Sequence, residues 1–144
     1  MMNSRRLALA FVLGGALLVL PAESRAQKTI VGTPTATLSP GVRVGDLLYL
    51  SGQLPGRDAD STIESQTKSA LERMNPILAA AGTSKENIVK CTVFLVDVKD
   101  FQGMNRAYQQ FFTKEPPARS TIVVAALVAP GKLEIECIAA IPKS

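Results

Sequence analysis

Near its C-terminus the sequence reads Leu133-Glu134-Ile135-Glu136-Cys137-Ile138-Ala139-Ala140-Ile141. Apolar residues stand at every odd position of this run, and the two glutamates stand at even positions. Such alternation is typical of a β-strand with one face in the core and the other face open. We therefore predict a sheet that buries the odd positions and places Glu134 and Glu136 together on the opposite face.

Five further strands are predicted on the N-terminal side of this run. The segment 88–96 is rich in β-prone residues but lacks clean alternation, which favours a strand buried on both faces. Gly45-Asp46 is a turn signal, so the strands on either side of it should form a hairpin. The predicted strands are Lys28–Val31, Val42–Val44, Leu47–Ser51, Ile88–Val96 and Arg119–Ala126.

A first helix is predicted over residues 62–81, where apolar residues recur at helical spacing. Ser61 and Glu64 have the spacing of a capping box at its start. Gly82 is a natural residue for its end. Pro76 removes one backbone donor, so the helix should kink near its last turns.

A second helix should begin with Asp100 as its cap and stop at Pro116-Pro117. Its apolar stripe consists of Phe101, Met104, Tyr108, Phe111 and Phe112. Two helices that pack on one face of a mixed β-sheet make an α+β fold. No second helical layer is predicted for the other face, and a partner subunit is the simplest cover for it.

The first 26 residues have the pattern of a secretory signal peptide. Met1–Arg6 is positively charged, Leu7–Leu20 is uncharged and almost wholly apolar, and Ser24-Arg25-Ala26 offers small residues at a cleavage site. We expect cleavage after Ala26, a periplasmic or secreted protein with no membrane attachment after cleavage, and one domain over residues 27–144.

The composition excludes several classes of function. The 144 residues contain no His and no Trp, which removes His-based acid–base chemistry and the common zinc sites. The first 26 residues account for half of the net charge of +4. The nearly balanced remainder argues against a nucleic-acid-binding protein. The sequence contains no phosphate-binding loop and no catalytic triad, and we expect neither a metal nor a cofactor.

A few polar residues are candidates for chemistry. Arg119 follows a rigid proline pair at the start of a strand, where its fork is suited to hold a carboxylate; a solvated strand edge is the alternative. Glu134 and Glu136 suit general acid–base work if they are partly buried, but are otherwise solvent-facing acids. Ser51-Gly52 ends a strand at a place where a ligand can approach the backbone. The alternative is that these two residues only form a turn. Asn105 lies off the apolar stripe and is expected to be exposed.

Cys91 and Cys137 lie on two predicted strands. An exported protein permits a disulfide, but spacing alone does not show whether the two residues meet. The favoured interpretation is a pair of buried free thiols.

In order along the chain, several segments resemble the RidA family, also called YjgF/YER057c/UK114. The Pro-Ala-Arg-Ser stretch is the most diagnostic of them, and together they span about residues 40–142. The segments are Val42–Gln53, Ala79–Gly82, Val89–Leu95, Asp100-Phe101 with Asn105, Tyr108 and Phe111-Phe112, Pro117–Ser120 and Leu133–Glu136.

The resemblance implies a chorismate-mutase-like fold and a homotrimer with ligand clefts between subunits. It implies hydrolysis of reactive enamines and imines, such as 2-aminoacrylate, to a 2-keto acid and ammonia without metal or cofactor. By resemblance, Arg119 holds the substrate carboxylate and Glu134 positions or activates water. The resemblance places Ser51, Gly52, Asn105 and Thr121 in the cleft.

Two departures from the family pattern leave other functions open. The stretch Leu38-Ser39-Pro40-Gly41 lacks the tyrosine that usually lines the cleft, and the signal peptide is atypical for the family. A small-carboxylate binding module and a holdase chaperone of the same fold are the alternative functions. Ammonia release from a 2-imino acid distinguishes the enzyme from both.

Overall fold

A six-stranded mixed sheet forms one layer of the structure, and helices cover one side of it. The computed structural model describes residues 27–143; the predicted signal peptide lies outside them. The strands are Lys28–Val31 (β1), Gly41–Val44 (β2), Leu47–Leu50 (β3), Ile88–Leu95 (β4), Ala118–Val123 (β5) and Leu133–Ala140 (β6). The helices are Ile63–Glu72 (α1), Asn75–Ala80 (α2) and Phe101–Phe111 (α3), with single 3₁₀ turns at Lys85–Asn87 and Val98–Asp100.

The strand order is β1-β2-β3-β6-β4-β5, so β6 lies inside the sheet between β3 and β4. All neighbouring strands are antiparallel except β4 and β5, which are parallel. The odd positions of β6 are buried beneath the helices, as the alternation predicted. The predicted α+β architecture is confirmed. The largest fully buried side chains are Leu48, Leu71, Met74, Leu78, Leu95, Met104, Leu133 and Ile135.

The prediction that β4 is buried on both faces is wrong for the single chain. The register with β6 shifts between Ile88 and Lys90, where a β-bulge takes up one extra residue. Beyond the bulge, Cys91, Val93 and Leu95 are buried, and the residues between them are partly exposed. The alternation of β4 is hidden in the sequence by the bulge and by two apolar residues that face outward, Val89 and Phe94.

The predicted helix over 62–81 is two helices, α1 and α2, which separate at Arg73 and Met74. Pro76 lies in the first turn of α2, where a missing N–H costs little, so it begins a helix instead of kinking one. The capping box is also wrong: Thr62, not Ser61, accepts a hydrogen bond from the Ser65 amide, at 3.3 Å.

The sequence predicted the end of α2 correctly, but it predicted the start of α3 only in part. Gly82 follows α2 with φ +75°, the left-handed conformation expected of a terminating glycine. Asp100 precedes α3 as predicted, but its side chain does not cap the helix. Its carboxylate instead accepts a hydrogen bond from Lys132 Nζ, at 3.0 Å.

Cys91 and Cys137 form a disulfide between β4 and β6, which overturns the interpretation as free thiols. The two residues are direct partners in the antiparallel register, with Cα atoms 4.1 Å apart, and both are buried. Pairing across adjacent strands brings cysteines this close. The sequence alone does not give the register, so the bond was not predictable from it.

The side of the sheet away from the helices, which we call the open face, is largely apolar. Ile30, Leu47, Tyr49 and Ile122 share this face by register and are 38% to 48% exposed. Exposed apolar side chains on several strands of one sheet face are typical of an interaction surface. Among residues 27–143, no helix is both long and apolar enough to span a membrane.

Reduction of the disulfide should destabilise the fold, because the bond closes a segment with a sequence separation of 46. Loss of that constraint on the unfolded chain is expected to lower the free energy of unfolding by about 2–4 kcal/mol. Urea denaturation of oxidised and reduced protein measures the difference. The double variant Cys91→Ala/Cys137→Ala is the control, since reductant should leave its midpoint unchanged. Equal midpoints for oxidised and reduced wild type would contradict the prediction.

Candidate functional site

Arg119 is held by groups on α3. In the parallel register it lies beside Cys91, which is buried, so its side chain extends on the helix-covered side of the sheet. Its Nη2 donates to Asn105 Oδ1 at 2.7 Å, and its Nη1 lies 3.7 Å from the Met104 sulfur. The structure therefore brings together two of the predicted site residues, and Asn105 is partly buried rather than exposed.

An aromatic ring supports the same guanidinium. The centroid of the Tyr108 ring lies 4.6 Å from Arg119 Cζ, within the range of a cation–π contact. Burial raises the pKa of Tyr108 to about 12, and the nearby positive charge of Arg119 opposes part of that rise. The phenol is therefore protonated at neutral pH, and the support it gives is uncharged.

The neighbours of Arg119 leave its charge uncompensated. Among residues 27–143, no carboxylate lies within ion-pair distance of this guanidinium. A partly buried cation held by an amide, a thioether and a ring retains its attraction for an anion. A cleft of about 400 Å³ opens beside it, between Gln109 and Phe112 of the α3 region and Pro117.

Thr121 lies two residues beyond Arg119, on the same side of β5. Its hydroxyl is shielded from solvent and has no hydrogen-bond partner among the described residues, and the Tyr108 hydroxyl shares this property. Thr121 thus shares the side of Arg119 but does not line the cleft beside it. We call Arg119, Asn105 and Thr121 the arginine group.

Ser51, Gly52 and Glu134 form a second cluster, which we call the glutamate group. Backbone hydrogen bonds of 2.7 and 3.0 Å join Gln53 to Ile135 and hold the two segments side by side. A β-carbon at position 52 would overlap Glu134 Oε1, so only glycine admits the carboxylate there. Ser51 Oγ donates to the Ser39 carbonyl at 2.6 Å, which ties the segment to the loop before β2.

The two groups lie on opposite sides of the sheet within one chain. Arg119 and Thr121 share their side with the buried residues of β4. Glu134 lies between buried Leu133 and Ile135 on β6, so its side chain is on the open face. The structure therefore does not bring Arg119 and Glu134 together in a single chain. Glu136 shares the open face with Glu134, as predicted, and is exposed.

Sequence reasoning assigned Met104 and Tyr108 to the core and missed that they contact Arg119. For Tyr108, its spacing from Asn105 was the available signal, because a residue three positions further along a helix lies on the same side. Met104 directly precedes Asn105, so no such spacing rule identified it. Within the described part of the chain, no three His, Cys, Asp or Glu side chains cluster as a metal site.

Comparison with known proteins gives consistent matches. The family model described as Endoribonuclease L-PSP matches residues 30–141. Reactive Intermediate Deaminase A of Arabidopsis thaliana is 37% identical over 126 residues, which are 81% of this chain and 67% of the relative. The 2-iminobutanoate/2-iminopropanoate deaminase of Capra hircus is 41% identical over 106 residues, covering 70% of this chain and 77% of the relative.

A solved structure gives the same result for the fold. The crystal structure of E. coli TdcF with bound serine is 35% identical and superposes with a TM-score of 0.71, over 78% of this chain and 98% of TdcF. A family model that spans most of the sequence, together with relatives above 30% identity, leads to one conclusion. The chain belongs to the RidA (YjgF/YER057c/UK114) family.

Proposed function

We propose that the protein is an enamine and imine deaminase, which hydrolyses 2-imino acids and enamines such as 2-aminoacrylate to 2-keto acids and ammonia. The observation that carries this proposal is the uncompensated guanidinium of Arg119, held by Asn105 and Tyr108 beside an open cleft. Two relatives named as deaminases support the reaction class, and TdcF, crystallised with serine, supports a small amino-acid-like ligand.

Arg119 is proposed to bind the substrate carboxylate. Its guanidinium has five N–H donors in a fixed plane, and Asn105 takes one from Nη2, so donors remain for both carboxylate oxygens. Two parallel hydrogen bonds fix the orientation of the carboxylate, and with it the position of the adjoining C=N carbon. Binding at Arg119 thereby presents that carbon to the attacking water.

Glu134 is proposed to accept a proton from the attacking water. The water oxygen forms a bond to the carbon of the protonated imine, which gives a carbinolamine. The nitrogen then takes up the proton held by Glu134 and the C–N bond breaks. The hydroxyl proton passes back to the Glu134 carboxylate as the C=O bond forms, and ammonia leaves. Neither oxidation nor reduction occurs, and the substrate's own C=N bond supplies the activation.

The site is proposed to form between copies of the chain in a homotrimer. The arginine group and the glutamate group lie on opposite sides of one sheet, so a complete site requires one group from each of two chains. The apolar open face, with Tyr49 and Ile122 exposed, is a surface that a second copy would cover. This assembly would bring Glu134 of one copy to the cleft beside Arg119 of the next.

We also propose export of the protein, with residues 1–26 as a cleaved signal peptide. The charged start, the apolar run Leu7–Leu20 and the small residues before Gln27 support it. The Cys91–Cys137 disulfide gives independent support, because such bonds persist in oxidising compartments such as the periplasm.

Substitution of Arg119 should abolish turnover without unfolding the protein. We expect Arg119→Ala to lower kcat/KM by at least about 100-fold, because both the charge-assisted bonds and the placement of the reacting carbon are lost. Arg119→Lys should fail nearly as badly, because an ammonium group does not reproduce the fork. Ammonia release from 2-iminopropanoate, generated by an amino-acid oxidase, is the assay.

Glu134→Gln should separate binding from turnover. The variant should bind pyruvate with near wild-type affinity in calorimetry, since Arg119 is intact, but should release ammonia at least about 100-fold more slowly. Glu136→Gln on the same face is the matched control and should keep activity. If wild type binds pyruvate but never releases ammonia above background, the protein is a binding module. If Arg119→Ala retains both properties, the assignment of the cleft is wrong.

Two inactive variants should restore activity when they share a trimer. In trimers that contain both Arg119→Ala and Glu134→Gln chains, one of the three sites would receive an intact residue from each side. Coexpression with two affinity tags, followed by tandem purification and light scattering, gives the mixed species and its mass. Recovered activity in a trimer is expected. A monomeric protein, or mixed trimers as inactive as either parent, would contradict a site shared between copies.

N-terminal sequencing tests export. Protein taken from the periplasm of a bacterial host should begin at Gln27, since cleavage is expected after Ala26. A variant with Leu13→Arg and Leu17→Arg interrupts the apolar run and should remain uncleaved in the cytoplasm. Full-length wild-type protein found only in the cytoplasm would rule out the signal peptide.

A further inference from the structure

The cleft beside Arg119 continues past the guanidinium toward the C-terminal end of α3. Its volume of about 400 Å³ exceeds what a carboxylate with one methyl group would fill. Beyond Arg119 it is bordered by Phe112 and by the proline pair Pro116-Pro117, with the amide of Gln109 at one side. Within residues 27–143, Arg119 is the one charged side chain that lines this cleft. The cleft therefore combines a single cationic contact with walls made largely of rings.

The rings that border the cleft are held in place by the core. Tyr108 and Phe112 are both buried, and their ring centroids lie 4.7 Å apart with the ring planes tilted by 45°. The Phe112 ring also meets the ring of Phe111 edge-on, at 4.9 Å between centroids. The pyrrolidine rings of Pro116 and Pro117 fix their own φ angles. A ligand that contacts these walls would therefore lose little affinity to ordering them.

We propose that this cleft binds the side chain of the substrate, so that the preferred substrates are 2-imino acids with an aromatic side chain. This inference rests on the proposed deaminase function. Arg119 would hold the carboxylate next to the C=N carbon. The aromatic ring, one methylene group away from that carbon, would lie against Phe112 and Pro117, which line the same cleft as Arg119.

The composition of the walls favours an aromatic ring over other side chains. Aromatic rings in offset or edge-to-face contact attract one another beyond the gain from burying apolar area. A cationic side chain would meet the charge of Arg119 without an acidic partner among the residues that line the cleft. A methyl side chain would leave the ring walls in contact with water. The reaction is unchanged: water adds to the C=N carbon, ammonia leaves, and the product is an aromatic 2-keto acid.

The kinetic test compares 2-imino-3-phenylpropanoate with 2-iminopropanoate, each generated in place by an amino-acid oxidase. For wild type, kcat/KM should be at least about tenfold higher for the aromatic imine, because its ring is buried against the cleft walls. Gln109 is exposed and borders the cleft, so Gln109→Trp should fill this space and bring the ratio of the two kcat/KM values to about one. Gln110→Trp is the matched control and should keep the wild-type ratio, because Gln110 is equally exposed on α3 but lines a different cavity. An unchanged ratio in Gln109→Trp would overturn the assignment of the cleft to the side chain.

Calorimetry with unreactive carboxylates separates a failure of this inference from a failure of the proposed function. Wild type should bind 3-phenylpropanoate at least about tenfold more tightly than propanoate, and Gln109→Trp should bind the two about alike. Equal affinities in wild type would overturn the aromatic preference even if the enzyme is active. Absence of ammonia release with both imines would instead overturn the proposed deaminase, while tighter binding of 3-phenylpropanoate would still support the cleft as a site for aromatic carboxylates.

Discussion

The pairing of β6 with β3 on one edge and with β4 on the other determines the positions of the core residues, the disulfide and Glu134. Because β6 alternates, every odd position enters the core beneath the helices, and every even position faces outward. The same register sets Cys137 opposite Cys91, where the disulfide forms. It also joins Ile135 to Gln53, so that Gly52 passes close to Glu134. One strand thus positions the covalent link, the acidic residue and the glycine that admits it.

The chemistry of the site follows from which charges lack a partner. Most of the ion pairs in the described residues lie on the surface, such as Arg106 with Glu64 and Lys68 with Glu72. Arg119 differs because its contacts are an amide, a thioether and a protonated phenol. Those contacts restrict the guanidinium without satisfying its charge. A cation in that state favours an anionic ligand, since the cost of immobilising the side chain has already been met during folding.

Much of the fold was predictable because local sequence patterns and tertiary structure agree. The alternation of β6, the hairpin at Gly45-Asp46 and the termination at Gly82 all rest on backbone preferences that need no distant partner. The division of the first predicted helix into α1 and α2 was not predictable, because Pro76 is compatible both with a kink inside one helix and with the first turn of a new helix. The bulge in β4 inserts one residue, and this disrupts the alternation that a sequence pattern depends on.

The sequence predicted which residues belong to the candidate site, but it did not predict how they are arranged in space. Arg119 and Glu134 were chosen by residue type and by resemblance. The alternation of β6 also gave the side of Glu134, whereas no local pattern gave the side of Arg119. The side of Arg119 depends on its parallel register with Cys91, a contact between strands that are far apart along the chain. The same limit applies to the disulfide. Its two cysteines become partners only when β4 and β6 pair, so no spacing rule identifies them.

The placement of Arg119 and Glu134 on opposite sides of one sheet has a consequence for the kinetic order of the reaction. If the site forms between copies, a newly folded chain is inert, and activity appears only after encounters between chains. The rate would then rise more steeply than linearly with protein concentration in the range where the assembly dissociates. Dilution would dissociate the assembly and lower the activity per chain, and concentrating the protein would restore it. An exported chain would also carry no activity during translocation, so the compartment in which copies accumulate would decide where ammonia is released.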